Sequence, residues 1–229
     1  MKMLLIAGHG AGDPGTVRFG FDEAYLTREF ASLLKAEIEP YCEVDIADTK
    51  KNWYRHIIKN FNRFDFTKYK YVLELHFNSN SKGEAGDGET TGTEIYVTRD
   101  EAGVSAEENI VKGIASLGFK NRGVKRKNYD LIYYIKKQGV SSALLEVCFL
   151  DDKDDFNLYQ AKKKEIARKV AEGIAAGFRL SKTTLADDCK LLCDKGIINS
   201  PDYWAKGKGY SDSNTVALIQ KFAKYVRGK

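Results

Sequence analysis

The chain has 229 residues, 43% hydrophobic and 30% charged, with a net charge of +5. That balance is globular and excludes the disordered and fibrous classes, and no apolar run approaches the ~20 residues needed to cross a bilayer. The length allows one full α/β domain and a remainder of about 50 residues, too short for a second large core.

The opening MKMLLIAG holds a short apolar run, residues 3–7, that leads straight into Gly8-His9-Gly10. A buried strand feeding a loop fits this better than an export leader, so the chain is expected to be made in the cytoplasm. A glycine-rich loop, Gly8–Gly20, follows, and residues 22–38 repeat Leu26, Phe30, Leu33, Leu34 and Ile38 at the spacing of one helix face. Glu43–Ile46 reads as a short strand, and residues 50–63, with Trp53, Ile57 and Phe61 four apart, as a helix.

Tyr69–Phe77 and Thr93–Thr98 are strands, separated by the polar, glycine-rich loop Ser79–Gly92. Glu107–Leu117 is expected to be a helix, Leu131–Ile135 a strand, Ser142–Phe149 a buried strand and Phe156–Leu180 a long helix. Strands alternating with helices give an α/β fold: a mainly parallel twisted sheet with helices on both faces. Ser181–Thr184 is a polar hinge that divides a domain over residues 1–180 from a small helical C-terminal domain over 181–229. That second domain carries two helical patterns separated by Asn199-Ser200-Pro201.

Residues 182–229 hold nine Lys/Arg against five Asp, +4 of the total +5. A basic tail suits anionic partners such as nucleic acid, a membrane surface or phosphate-rich wall polymers. Four cysteines, Cys42, Cys148, Cys189 and Cys193, are too few for a disulfide framework. Cys189 and Cys193 share a helix face but have no nearby histidine, so they read as core rather than metal ligands.

In an open parallel sheet, ligands gather at the carboxyl ends of the strands. His9 directly follows the first strand, His76 ends the strand from Tyr69, and Glu146 lies near the end of Ser142–Phe149. Glu23, opening the first helix, returns to the same edge. Two imidazoles and a carboxylate with an open position make a hydrolytic zinc site, and a second carboxylate can serve as general base. The alternative is structural: His9 capping its loop and His76 packed in the core. An unpaired Glu146 is harder to place in that way, because burying a bare carboxylate costs several kcal/mol, roughly.

The segments Ala7–Gly15, Glu23 opening a helix and Leu75-His76-Phe77-Asn78 come in an order that resembles the zinc-dependent N-acetylmuramoyl-L-alanine amidases of bacterial autolysins and phage endolysins, the amidase-3 family. Gly92–Val97, Arg122-Gly123-Val124-Lys125 and Leu144–Phe149 continue the match to about residue 180. The resemblance implies zinc held by His9, Glu23 and His76, with Glu146 as the catalytic residue. It implies peptidoglycan as the substrate, cut between N-acetylmuramic acid and L-alanine. With no leader, such an enzyme is endolysin-like and reaches the wall only on release. Two features depart from the family: Asp48-Thr49-Lys50 replaces its Thr-Arg pair, and Glu74 stands where a serine is usual. Glu74 shares a strand side with His76, and is either its partner or solvated.

On this reading the tail meets anionic wall polymers or a second copy of the chain, with no role for nucleic acid or membrane. Gly10-Ala11-Gly12-Asp13-Pro14-Gly15 also matches G-x-G-x-x-G. However, Asp13 would oppose a pyrophosphate and the helix starts too late to cradle one. The remaining alternatives are a zinc peptidase cutting within the stem peptide and a non-catalytic wall-binding protein. His56, beside Arg55 on a surface helix, reads as solvated, and Tyr203-Trp204 as core of the tail rather than a sugar platform.

Overall fold

The computed structural model describes residues 1–80, 85–205 and 213–227, in two compact units, Met1–Leu180 and Ser181–Lys229. The first unit is built on strand β1 (Lys2–Ala7), which sends Met3 and Leu5 to one face and Leu4 and Ile6 to the other, all buried. That is the period-two pattern of a strand covered on both sides. A two-residue-strand hairpin, β2 (Val17–Arg18) and β3 (Phe21–Asp22), leads into helix α1 (Glu23–Ile38), whose first turn is capped by the Asp22 side chain accepting from the Tyr25 amide at 2.6 Å.

The six-stranded sheet has the order β4 (Glu43–Ile46), β1, β5 (Tyr71–Asn78), β8 (Ser141–Phe149), β6 (Thr93–Val97), β7 (Asn121–Arg126). The strands β4, β1, β5 and β8 are parallel; β6 is antiparallel to β8 and parallel to the edge strand β7. Helices α1, α2 (Ser105–Ala115) and α4 (Lys153–Phe178) pack on the face that carries Met3, Leu5, Leu73 and Leu75. A π-helical turn (Arg55–Lys59) and helix α3 (Asp130–Lys136) cover the face that carries Leu4, Ile6 and Val72. This is the mainly parallel, two-sided sheet expected from the sequence.

Some elements differ from expectation. Leu131–Ile135 is not a strand but lies in α3: its buried residues are Leu131, Ile132 and Ile135, a helical spacing, whereas a strand would have aligned 131, 133 and 135. The helix expected over residues 50–63 contracts around the π-helical turn, with the Asn52 side chain accepting from the Arg55 amide at 2.9 Å and Phe61 in left-handed backbone (φ 53°) beyond it. Strand β7 carries no apolar alternation and β2 and β3 are two residues each, so neither showed in the pattern. Part of the expected loop Ser79–Gly92, residues 81–84, lies outside the described residues.

Among its described residues the second unit holds three helices where two patterns were expected: α5 (Leu185–Asp194), α6 (Pro201–Ala205) and α7 (Ser213–Arg227). A reciprocal capping box between Thr184 and Asp187 starts α5. Cys189, Leu192, Ile219 and Ala223 form its core, which places Cys189 as expected and leaves Cys193 half-buried. Trp204 packs against that core while Tyr203 is exposed. Among the described residues no helix is long and apolar enough to cross a membrane.

Candidate metal centre

The ends of β1 and β5 and the first turn of α1 bring His9, Glu23 and His76 together. Each offers one ligand atom, and these atoms lie within 4.8 Å of one another. Glu23 is the bridge: Oε1 lies 3.0 Å from His76 Nδ1 and Oε2 lies 3.1 Å from His9 Nε2. The chain fixes this carboxylate from behind, since the Phe77 amide donates to Oε1 at 2.9 Å and the Thr16 amide to Oε2 at 3.1 Å. Its place in the first turn of α1 also favours negative charge.

Each imidazole has an outer partner on its other nitrogen. Asp13 Oδ2 lies 3.2 Å from His9 Nδ1 and is itself held by the Asn52 side-chain amide at 2.9 Å. Glu74 Oε1 lies 3.2 Å from His76 Nε2. Glu74 is buried, so of the two roles open to it the structure gives it the one beside His76. Carboxylates placed in this way orient ligating histidines and raise their basicity.

The backbone is shaped around these side chains. His9 adopts φ 57°, a left-handed conformation that costs a non-glycine residue roughly 1–2 kcal/mol. Arg28 of α1 holds it there: the guanidinium donates to the carbonyls of Gly8 (3.0 Å), His9 (3.1 Å), Thr49 (2.9 Å) and Lys51 (3.2 Å). A Cβ on Gly8 would meet His76 ring atoms at 2.4–2.7 Å, and one on Gly15 would meet Glu23 Oε2 at 2.7 Å. Sequence reasoning misses Arg28 and Asn52 and finds Asp13 only as an obstacle to phosphate binding. The partners of Arg28 are backbone carbonyls apart from the neighbouring Thr27 hydroxyl, so no residue spacing signals its role.

Glu146 is paired in register with His76 and points to the same sheet face. Its Oε2 is buried without a hydrogen-bond partner. Burial pushes its carboxyl up to about 7, against the lowering influence of His76. For Glu23, burial acts to raise the pKa, but hydrogen bonds from His76 and His9 outweigh it and hold the carboxyl far below its usual 4.5. His76 lies well above 6.5: burial opposes its charged form, and Glu23 and Glu74 overcome that. His9, Glu74, His76 and Glu146, with Asn52, Trp53, Tyr54, Tyr129, Leu131 and Leu144, line a cleft of about 330 Å³. His56 lies apart, against Trp53 (ring centroids 5.7 Å) and with its Nδ1 3.1 Å from the Asn62 amide.

Two nitrogens and a carboxylate oxygen suit a borderline-soft divalent cation such as zinc. The backbone cradle at Gly8 and Gly15 and the unpartnered Glu146 Oε2 fit a site that takes an ion and a reactant.

Residues 3–176 match the protein family described as N-acetylmuramoyl-L-alanine amidase. The chain is 26% identical over 181 residues to an uncharacterized protein of Clostridium perfringens, covering 76% of this chain and 51% of that one. It therefore spans about half the length of that relative. It is 25% identical over 191 residues to the sporulation-specific N-acetylmuramoyl-L-alanine amidase of Bacillus subtilis, covering 80% of this chain and 71% of the relative. The fold is that of the catalytic domain of the CD27L endolysin targeting Clostridia difficile, with a TM-score of 0.60 at 22% identity over 76% of this chain and 96% of that one.

Proposed function

The chain belongs to the N-acetylmuramoyl-L-alanine amidase family, and on that premise we propose that it hydrolyses the amide between N-acetylmuramic acid and L-alanine in peptidoglycan, using a zinc ion held by His9, Glu23 and His76. The observation that carries this reading is the set of three ligand atoms within 4.8 Å of one another beside the unpartnered Oε2 of Glu146. Bound there, zinc would supply Lewis acidity at the scissile carbonyl and acidify a water.

The chain's own residues do the rest. Glu146 takes a proton from the attacking water as its oxygen bonds to the lactyl carbonyl carbon. Glu146 then gives that proton to the alanine nitrogen as the C–N bond breaks, leaving a lactyl carboxylic acid and a free amine. An unprotonated amide nitrogen is a poor leaving group, so the second transfer matters as much as the first. Glu74 and Asp13 hold the imidazoles in place, and Arg28 holds the loop that carries His9.

The basic unit Ser181–Lys229 is read as a targeting or assembly module that meets anionic wall polymers or a second copy of the chain. Digestion of purified peptidoglycan tests the main reading. New amino termini should be L-alanine, activity should vanish on chelation and zinc should restore it. Termini within the stem peptide would establish the peptidase alternative, and no product at all a binding protein.

A further inference from the structure

We propose that Arg122 and Lys125 form a subsite for a carboxylate of the substrate's peptide, on the same sheet face as the metal-binding residues; this rests on the amidase reading above. Residues three apart on a regular strand point to opposite faces. Strand β7 escapes that rule by a bulge: between the paired positions Thr93↔Asn121 and Ile95↔Val124, β7 advances one residue more than β6. Gly123, at φ 80°, supplies the backbone turn. Bulges of this kind re-aim side chains and occur next to active sites.

The result is that Arg122 and Lys125 converge on Glu94. Arg122 Nε donates to Glu94 Oε2 at 2.6 Å, and Lys125 Nζ donates to the same oxygen. The other oxygen accepts from Asn78 and from the Tyr96 hydroxyl, both at 2.8 Å. Glu94 is 1% exposed, whereas the Arg122 and Lys125 side chains are 31% and 37% exposed. Two cations thus meet one buried anion, leaving a net positive charge on two part-exposed side chains, of which Arg122 also reaches the Thr91 carbonyl through Nη1 at 3.5 Å. The rings of Phe149 (4.8 Å) and Tyr96 (5.5 Å) lie under them.

Basic residues on an edge strand also deter edge-to-edge pairing, and Lys120, Arg126 and Lys127 serve that purpose in any orientation. It does not call for a bulge and a buried glutamate that aim two cations at one spot.

The register ties this spot to the candidate centre. Glu94 stands opposite Glu146, and Glu146 opposite His76, so His76, Glu146, Glu94 and Arg122 form a row across one face. Arg122 is two strands from Glu146, about 10 Å. A peptide extends about 3.5 Å per residue, so a carbonyl held beside Glu146 puts the second residue of the leaving peptide within reach of these side chains. In peptidoglycan that residue is D-isoglutamate, whose α-carboxylate is free, or its α-amide.

The test compares the dipeptides L-Ala-D-isoGlu and L-Ala-D-isoGln, and their N-acetylmuramoyl conjugates, on the full chain. Both dipeptides carry a γ-carboxylate and differ only at the α position, so equilibrium binding should favour the one with the free α-carboxylate by about tenfold, the effect of a charge-assisted hydrogen bond. The triple variant Glu94→Gln, Arg122→Gln, Lys125→Met removes the cations without stranding the buried anion, and should bring the two dipeptides within about twofold. Lys125→Met alone, which leaves Arg122 to neutralise Glu94, should give an intermediate preference and serves if the triple variant does not fold. Equal binding by the unaltered chain, or a preference that survives in these variants, overturns the subsite. Conjugates cleaved at equal rates would do the same while leaving the amidase reading intact. A binding preference with no cleavage of either conjugate would sink the amidase reading and not the subsite.

Discussion

Glu146 and Glu94 face each other across the antiparallel joint between β8 and β6, and the fold gives them opposite fates. Glu94 is met by Arg122, Lys125, Asn78 and Tyr96 and is held ionised, below its ordinary 4.5. Glu146 has an unpartnered oxygen, and burial raises its carboxyl to about 7. Neighbouring carboxylates pushed apart in this way suit one to a scaffold and, on the mechanism proposed above, the other to carrying the proton.

Glu146→Gln should therefore lower the rate of amide cleavage by roughly 10²–10⁴ while metal content and thermal stability stay unchanged. The amide has the shape of the acid but cannot shuttle a proton. Near-normal turnover on purified wall would remove Glu146 from the chemistry.

Metal analysis of the purified chain should return close to one zinc per molecule. His76→Ala deletes a ligand atom and leaves Glu23 with one imidazole, so it should lose most of that metal. Full retention would show that the ion sits elsewhere.

Glu74→Gln keeps the shape of the side chain but removes the charge beside His76 Nε2. We expect zinc affinity to fall roughly tenfold or more, read by competition with a coloured chelator. An unchanged affinity would reduce Glu74 to a packing residue.

The metal-free protein should lose stability as pH rises. His9 and His76 are raised above 6.5, so their contribution is complete below that value and disappears as pH climbs through their folded-state values. Glu23 is lowered from 4.5, so its contribution is present above 4.5 and disappears in acid. The triad thus stabilises the chelated protein most between pH 4.5 and 6.5. Melting curves from pH 5 to 9 should show the decline, and Glu23→Gln should flatten it. Zinc takes the imidazoles unprotonated, so its uptake should release protons and tighten with pH.

Truncation after Leu180 should leave metal content and cleavage of small soluble muropeptides intact and reduce lysis of intact walls. If charge attraction to wall polymers is the cause, the advantage of the full chain should shrink with salt. If self-association is, light scattering should register the loss. A truncated chain that is insoluble or inactive on muropeptides would show that residues 181–229 are structural.

The strand ends were legible because polar His9, His76 and Glu146 interrupt otherwise apolar runs at the edge where parallel sheets bind ligands. Leu131–Ile135 misled because five apolar residues fit a short buried strand as well as a helix face, and only the packing of Leu131, Ile132 and Ile135 decides between them. The pairing of Arg122 with Lys125 was hidden for a geometric reason: alternation assigns them to opposite faces, and the bulge that reverses this leaves only Gly123 as its mark. Arg28 was hidden because nearly all of its partners are main-chain carbonyls.

The space a Cβ would need at Gly8 is already filled by the imidazole of His76, with ring atoms 2.4–2.7 Å away. One added methyl group there would displace a donor without changing any donor's chemistry. A survey of inactivating variants should then find Gly8→Ala as damaging as His76→Ala, though the glycine offers no electron pair to an ion. Vulnerability at this centre follows the hollow as much as the groups that line it.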